Sequence, residues 1–185
     1  MANERSYIEG KRILAVDDDS DILEMIEEIL DSARVETAGD YEDASAKIRE
    51  NIYDLAILDI MGVNGLKLLE EAVEMKVPTV MLTAHAVNPE TLMESIRRGA
   101  IAYLPKEKLS ELDALLNDLF GAYVRGEPPW KLLFDRLGDY FDERFGSDWK
   151  KNDSAFWEDF SRTFQIGRGI QKRLMRDDRI RSKPF

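Results

Sequence analysis

The 185-residue sequence contains no cysteine and a single histidine, and these shortages exclude several kinds of chemistry. Without cysteine the chain cannot form a disulfide, a thiolate zinc site or a cysteine nucleophile. One histidine cannot form a histidine-rich metal site. The sequence also lacks an apolar run of the roughly 20 residues that a membrane-spanning helix needs, and its start does not have the pattern of a signal peptide. We therefore expect a globular, cytoplasmic protein without membrane contact.

Positive charge is also scarce, since the formal net charge is -11. This makes nucleic acid an unlikely partner, because neutralising phosphates requires clustered Lys and Arg. Residues 1–125 contain 13 Lys and Arg against 26 Asp and Glu, whereas residues 126–185 contain 13 against 11. All three Trp and seven of the eight Phe follow residue 125. This change in composition predicts a polar arm at 1–10, a domain at 11–125 and an aromatic-rich extension at 126–185.

Short apolar runs alternate with amphipathic stretches in the domain, which predicts an α/β fold with a parallel sheet covered by helices on both faces. The candidate strands are residues 13–16, 35–38, 55–58, 79–82 and 102–104. Helical patterns or end signals mark residues 21–31, 66–75, the stretch between Asn88 and Gly99, and residues 110–124, where Ser110 and Asp113 resemble a capping box.

The extension is predicted to be helical, after a boundary marked by Pro128 and Pro129. Two apolar faces appear at helical spacing: Phe134, Leu137, Phe141 and Phe145 on the first helix, and Phe156, Phe160 and Phe164 on the second. A basic tail begins at Gly167. Two helices alone bury little apolar surface, so these faces require either the domain of the same chain or a second chain.

Polar residues gather where the predicted strands end. The first strand ends on Asp17, Asp18 and Asp19, and the third ends on Asp59. Thr83 ends the fourth strand and Lys106 follows the fifth. In an open parallel sheet, ligands bind beyond the carboxyl ends of the strands, at the point where the strand order reverses. If the order is 2-1-3-4-5, the first and third strands are neighbours and their aspartates meet.

Carboxylates this close repel one another, so the cluster indicates a hard cation such as Mg²⁺ or Mn²⁺. A hydroxyl from Thr83 and an ammonium from Lys106 on the opposite side suit a phosphoryl group. Together these groups point to phosphoryl transfer, with Asp59 as the covalent acceptor.

Four short motifs resemble those of a known protein family. They are AVDDD at 15–19, LDI at 58–60, LTA at 82–84 and YLPK at 103–106. Residues 11 to about 125 resemble a response-regulator receiver domain of the two-component signalling family. The resemblance implies a doubly wound, flavodoxin-like sheet of five strands in the order 2-1-3-4-5. It also implies that a sensor histidine kinase phosphorylates Asp59, and that Asp17, Asp18, Asp59 and the backbone carbonyl of Met61 hold the metal.

Further roles follow from the same resemblance. Thr83 and Lys106 would contact phosphoryl oxygens, Thr83 and Tyr103 would act as the switch, and Met61 and His85 would tune dephosphorylation. The only catalysis expected is the chain's own magnesium-dependent phosphorylation and dephosphorylation. The sequence departs from the family in two places, a short DIMGVNG loop after the acceptor, without proline, and Glu107 where proline usually follows the lysine.

Several alternatives remain open at this stage. Asp19 or Ser20 could simply cap a helix, Tyr103 could be ordinary core packing, and His85 could be an idle surface residue. The extension could dock on the face formed by the fourth and fifth helices and the fifth strand, which the family uses for output, or form a homodimer through its helices or that face. The chain could signal to an unknown downstream protein, act as a phosphorelay intermediate or phosphate sink, or serve as a phosphorylation-independent scaffold or dimerisation module.

Overall fold

The sheet has the predicted topology. The computed structural model describes residues 5–84 and 87–164. Five parallel strands form one sheet in the order β2-β1-β3-β4-β5. They are β1 Arg12–Val16, β2 Arg34–Ala38, β3 Leu55–Asp59, β4 Thr79–Thr83 and β5 Ala102–Pro105. Each predicted strand is confirmed to within one residue at either end. Four of them, β1, β3, β4 and β5, are recognisable as apolar runs because they are buried along almost their whole length.

In the described residues, five α-helices cover the sheet and two more lie in the extension. They are α1 Ser20–Ile29, α2 Tyr41–Glu50, α3 Gly65–Glu74, α4 Pro89–Arg97, α5 Leu112–Arg125, α6 Pro129–Phe145 and α7 Ser154–Phe164. The predicted cap of α4 is confirmed, since the Asn88 side chain accepts the Thr91 N–H at 2.9 Å. None of the helices in the described residues is long and apolar enough to cross a membrane.

The predicted start of α5 at Ser110 is wrong. A 3-10 helix occupies Lys106–Glu111, and α5 begins at Leu112 without a side-chain cap. Leu109 and Leu112 are both buried, and the 3-10 geometry places residues three apart on the same side. The Leu112 N–H donates to the Leu109 carbonyl, and this backbone bond takes the place of the expected capping box.

Residues 5–10 pack against α5. The backbone N–H of Tyr7 donates to Asn117 Oδ1 at 2.6 Å, and Ile8 is fully buried. A Cβ at Gly121 would lie 2.6 Å from the Tyr7 ring, so only glycine leaves room for this ring. The residues before Arg5 lie outside the described part of the chain.

The extension lies on the α4, β5 and α5 side of its own domain, here called the α4–β5–α5 face. The Trp130 Nε1–H donates to the backbone carbonyl of Ala100 at 2.9 Å. The Arg97 guanidinium of α4 is buried 3.4 Å from the Asp153 carboxylate. Of the predicted α6 face, Leu137 and Phe141 are buried, and Phe134 and Phe145 are partly buried. Leu133, which was not predicted, is buried beside them. The face therefore binds the chain's own helices.

Ring contacts hold α6 and α7 together. The Phe134 ring meets Trp157 and Phe160 edge to face, with centroids 5.8 and 5.9 Å away. The Lys150 ammonium lies 5.0 Å from the Phe134 ring centroid and 5.4 Å from that of Trp157, within the range of cation–π attraction. The aromatic residues of the extension are thus continuous with the core of the domain. The side chain of Phe164 and the basic tail from Gly167 lie outside the described residues.

Candidate functional site

Three aspartates meet at the carboxyl edge of the sheet. Val16 pairs with Leu58 between β1 and β3, so the residues that follow them, Asp17 and Asp59, are neighbours. One carboxylate oxygen from each of Asp17, Asp18 and Asp59 lies within 4.8 Å of the other two. Asp17 and Asp59 are only 1% and 5% exposed, whereas Asp18 is exposed. The strand order thus places together carboxylates that are about 40 residues apart in sequence.

Lys106 lies directly opposite the buried carboxylates. It follows β5, and its Nζ is 2.6 Å from Asp17 Oδ2 and 3.5 Å from Asp59 Oδ2. Burial opposes the charged form of Lys106, but the two carboxylates outweigh this effect and raise the pKa of the ammonium. Lys106 is therefore a fixed positive charge beside the candidate acceptor.

The Asp59 carboxyl has a raised pKa. Burial disfavours its charged form and the neighbouring Asp17 charge adds to this, so its pKa rises to about 6 even though Lys106 opposes the shift. The cluster formally contains three carboxylates against one ammonium. Such a surplus of negative charge in a largely buried site favours an added cation.

The donor set fits a hard divalent cation. All of the side-chain donors are carboxylate oxygens, which Mg²⁺ prefers. Asp17 Oδ1 accepts the Asp19 N–H at 3.0 Å, which orients its carboxylate. A Cβ at Gly62 would lie 2.5 Å from the Asp18 carboxyl carbon, so this glycine leaves the space that Asp18 occupies. Asp17, Asp18 and Asp59 are therefore suitable ligands for Mg²⁺.

The short DIMGVNG loop folds tightly back over the end of β3. The Gly65 N–H donates to the Ile60 carbonyl at 3.0 Å, and Asn64 takes a left-handed conformation with φ of 52°. A Cβ at Gly65 would lie 1.8 Å from the Asp59 backbone oxygen, so glycine is required. Gly62 and Gly65 thus shape the site, although they were not among the predicted site residues. Two glycines three residues apart, directly after the acceptor strand, were the available signal.

Thr83 lies at the end of the neighbouring strand. Asp59 pairs with Leu82 between β3 and β4, so Thr83 is the next residue along the same edge, and it is fully buried. The Met61 side chain is 56% exposed. His85 lies outside the described residues.

Tyr103 is buried on β5. Its hydroxyl lies 2.8 Å from Thr91 Oγ1 of α4, and burial raises the pKa of the phenol to about 12. Its ring contacts Phe141 of the extension at a centroid distance of 6.2 Å. The residue therefore has a specific hydrogen-bonded and packed position between α4 and α6.

Asp19 has a different task from Asp17. Its side chain accepts the backbone N–H of Asp21 at 3.0 Å and caps α1. The capping interpretation of Asp19 is confirmed.

Comparisons with known proteins agree with this fold. Residues 13–117 match the family model of the response regulator receiver domain. Two-component response regulator ARR10 of Arabidopsis thaliana is 38% identical over 104 residues, which cover 52% of this chain and 19% of that protein. ARR11 of the same plant is 31% identical over 171 residues, covering 80% of this chain and 32% of that protein. The chain thus spans about a fifth to a third of the length of these relatives.

Solved structures show the same domain. The receiver domain of NtrX from Brucella abortus has a TM-score of 0.53 at 33% identity and covers 59% of this chain and 98% of that one. The Francisella response regulator 1452 receiver domain has a TM-score of 0.54 at 26% identity and covers 62% of this chain and 99% of that one. The extension helices α6 and α7 lie beyond the residues of the family match. Because that match spans more than half of the sequence, the chain belongs to the response regulator receiver domain family.

Proposed function

We propose that this protein is a phosphorylation switch of two-component signalling, in which Asp59 accepts a phosphoryl group from the phosphohistidine of a sensor histidine kinase. The observation that carries the proposal is the meeting of Asp17, Asp59 and Lys106 at one edge of the sheet. A carboxylate acceptor, acidic metal ligands and a fixed ammonium are the groups that phosphoryl transfer needs. The curated relatives, which are two-component response regulators, support the same assignment.

In the proposed reaction an oxygen of the Asp59 carboxylate attacks phosphorus. A P–O bond forms while the P–N bond to the phosphohistidine breaks, and the bonding electrons leave with the imidazole, which takes up a proton. The attacking oxygen must be ionised, which a pKa of about 6 allows at neutral pH. Lys106 then exchanges part of its contact with Asp17 for a phosphoryl oxygen, and the Thr83 hydroxyl donates to another.

Asp17, Asp18, Asp59 and the backbone carbonyl of Met61 would hold Mg²⁺ in this scheme. When bound, the cation neutralises charge on the carboxylates and on the transferred group. Asp17 has a second role, because it holds Lys106 beside Asp59 before the transfer.

Signalling would follow from the added charge. Phosphorylation adds between one and two negative charges at Asp59, which draws Thr83 and Lys106 toward it. We propose that this shift changes the position of Tyr103 and so biases the α4–β5–α5 face between two arrangements. The chain would then act through protein–protein contacts with an unidentified downstream protein. A homodimer through this face would first have to displace the extension.

Acetyl phosphate with Mg²⁺ tests the acceptor assignment. The wild-type protein should become phosphorylated, as seen by intact mass, and Asp59→Asn or EDTA should abolish the label. Asp19→Asn is the matched control, because it changes a nearby carboxylate but keeps a capping side chain. An unlabelled wild-type protein, or a label that persists in Asp59→Asn, would contradict the proposal. Identical oligomeric state and partner binding with and without beryllofluoride would instead favour the scaffold alternative.

A further inference from the structure

One turn of α6 contacts the segment that contains Lys106 on both sides of that lysine. The Phe141 ring packs against Tyr103, three residues before Lys106, and both side chains are fully buried. Arg144 lies 3.9 Å from the carboxylate of Glu107, the residue directly after Lys106. Contacts from a single helical turn therefore flank the lysine.

The same side of α6 makes a further contact. The Lys108 ammonium lies 6.0 Å from the centroid of the Tyr140 ring. Residue 144 is three positions after 141 and four after 140, so these residues share one side of the helix. Trp130, at the start of α6, holds the backbone just before β5 through its bond to Ala100. Helix α6 thus contacts the chain from before β5 to beyond Lys106.

These contacts matter because they hold the backbone that carries Lys106, whose ammonium pairs with Asp17. Lys106 is the first residue of a short 3-10 helix, and Glu107 after it is exposed. The pair between Arg144 and Glu107 is solvent-exposed and weak by itself. The contact between Phe141 and Tyr103 is fully buried and is therefore the stronger of these two contacts. A catalytic charge acts well only when its supporting residues hold it within a fraction of an ångström.

We infer that α6 is a positioning element of the phosphoryl site, in which Phe141 and Arg144 hold residues 103–107 and thereby the ammonium of Lys106. The inference rests on the proposed phosphorylation of Asp59. Neither residue touches the reacting atoms, so both act through Lys106. Linkage is reciprocal. If the docked α6 strengthens the binding of a phosphoryl group, the bound group strengthens the docking of α6 by the same factor.

The test uses the full chain and beryllofluoride with Mg²⁺ as the phosphoryl probe. We expect Phe141→Ala to bind the probe at least about fivefold more weakly, Arg144→Ala about two- to threefold more weakly, and Phe141→Leu to recover part of the loss. Arg136→Ala is the matched control, since Arg136 also lies on α6 but pairs with Asp118 of α5. It should bind as the wild type does.

Three further measurements separate positioning from a general loss of structure. The rate of labelling at saturating acetyl phosphate should fall in Phe141→Ala and Arg144→Ala and stay at the wild-type value in Arg136→Ala. In the wild type, the probe should slow amide exchange in α6, and this slowing should be smaller in Phe141→Ala. All three tryptophans lie in the extension, so their fluorescence reports whether a variant has undocked it.

The two proposals fail in different ways. If the wild type neither binds beryllofluoride nor becomes labelled, the proposed function fails. If the wild type is labelled, and both Phe141→Ala and Arg144→Ala bind the probe as tightly as it does, the positioning role of α6 is overturned. An equal loss in Arg136→Ala would also overturn it. If Phe141→Ala unfolds the domain, Phe141→Leu and Arg144→Ala decide the question.

Discussion

Replacing Asp59 by asparagine should stabilise the protein at neutral pH when no divalent cation is present. The carboxyl is 5% exposed, and its pKa rises from 3.8 to about 6 through burial and the Asp17 charge. The difference corresponds to about 3 kcal/mol of unfavourable free energy for the ionised form in the folded state. Asparagine has a similar shape without the charge but loses the attraction to Lys106, so we expect a gain of about 1 to 3 kcal/mol.

The gain should depend on pH with a definite sign. Between about pH 4 and pH 6 the folded wild-type protein binds more protons at Asp59 than the unfolded chain does. Its free energy of unfolding therefore falls as the pH rises through this interval, and the cost persists above it. Asp59→Asn lacks this cost. The difference between variant and wild type should be small near pH 4 and complete above about pH 7.

Urea unfolding in EDTA, at about pH 4 and above about pH 7, measures this difference in the free energy of unfolding between variant and wild type. Asp139→Asn on α6 is the control for loss of one exposed carboxylate. Added Mg²⁺ should stabilise the wild type and reduce the difference, because a ligand that binds only the folded state raises its stability. If Asp59→Asn is no more stable than the wild type at neutral pH without cations, the account of the acidic cluster as a destabilising arrangement is refuted.

Three further predictions follow from single contacts. Gly65→Ala should lower the free energy of unfolding by about 3 kcal/mol or more, measured by urea unfolding, because its Cβ would lie 1.8 Å from a backbone oxygen. In calorimetric titrations Asp17→Ala should weaken Mg²⁺ binding at least about tenfold, whereas Asp19→Ala should spare binding and cost about 1 kcal/mol of stability as a lost cap. Trp130→Phe should leave the buried Ala100 carbonyl unpaired, which should lower the free energy of unfolding by about 1 to 3 kcal/mol and with it the thermal midpoint. An unchanged midpoint would show that this bond does not hold the extension.

Much of the fold and of the candidate site could be predicted from the sequence. The central strands of a parallel sheet are buried on both faces, so each is a continuous apolar run that local composition reveals. Their carboxyl ends share one edge, so the polar residue after each run identifies its place in the site. Asp17, Asp59, Thr83 and Lys106 could therefore be assigned to one edge without any knowledge of loop shape.

The sequence by itself determined the order of elements and the chemistry at the strand ends, whereas only the tertiary structure decided what the other parts contact. The apolar face of α6 would suit many surfaces, and its contact with Tyr103 depends on the direction in which the chain leaves α5. The start of α5 at Leu112 and the need for Gly65 likewise depend on neighbouring atoms: the shared burial of Leu109 and Leu112, and the approach of Gly65 to the Asp59 backbone. Periodicity reports which side of an element is apolar, but the distances between atoms fix its partner.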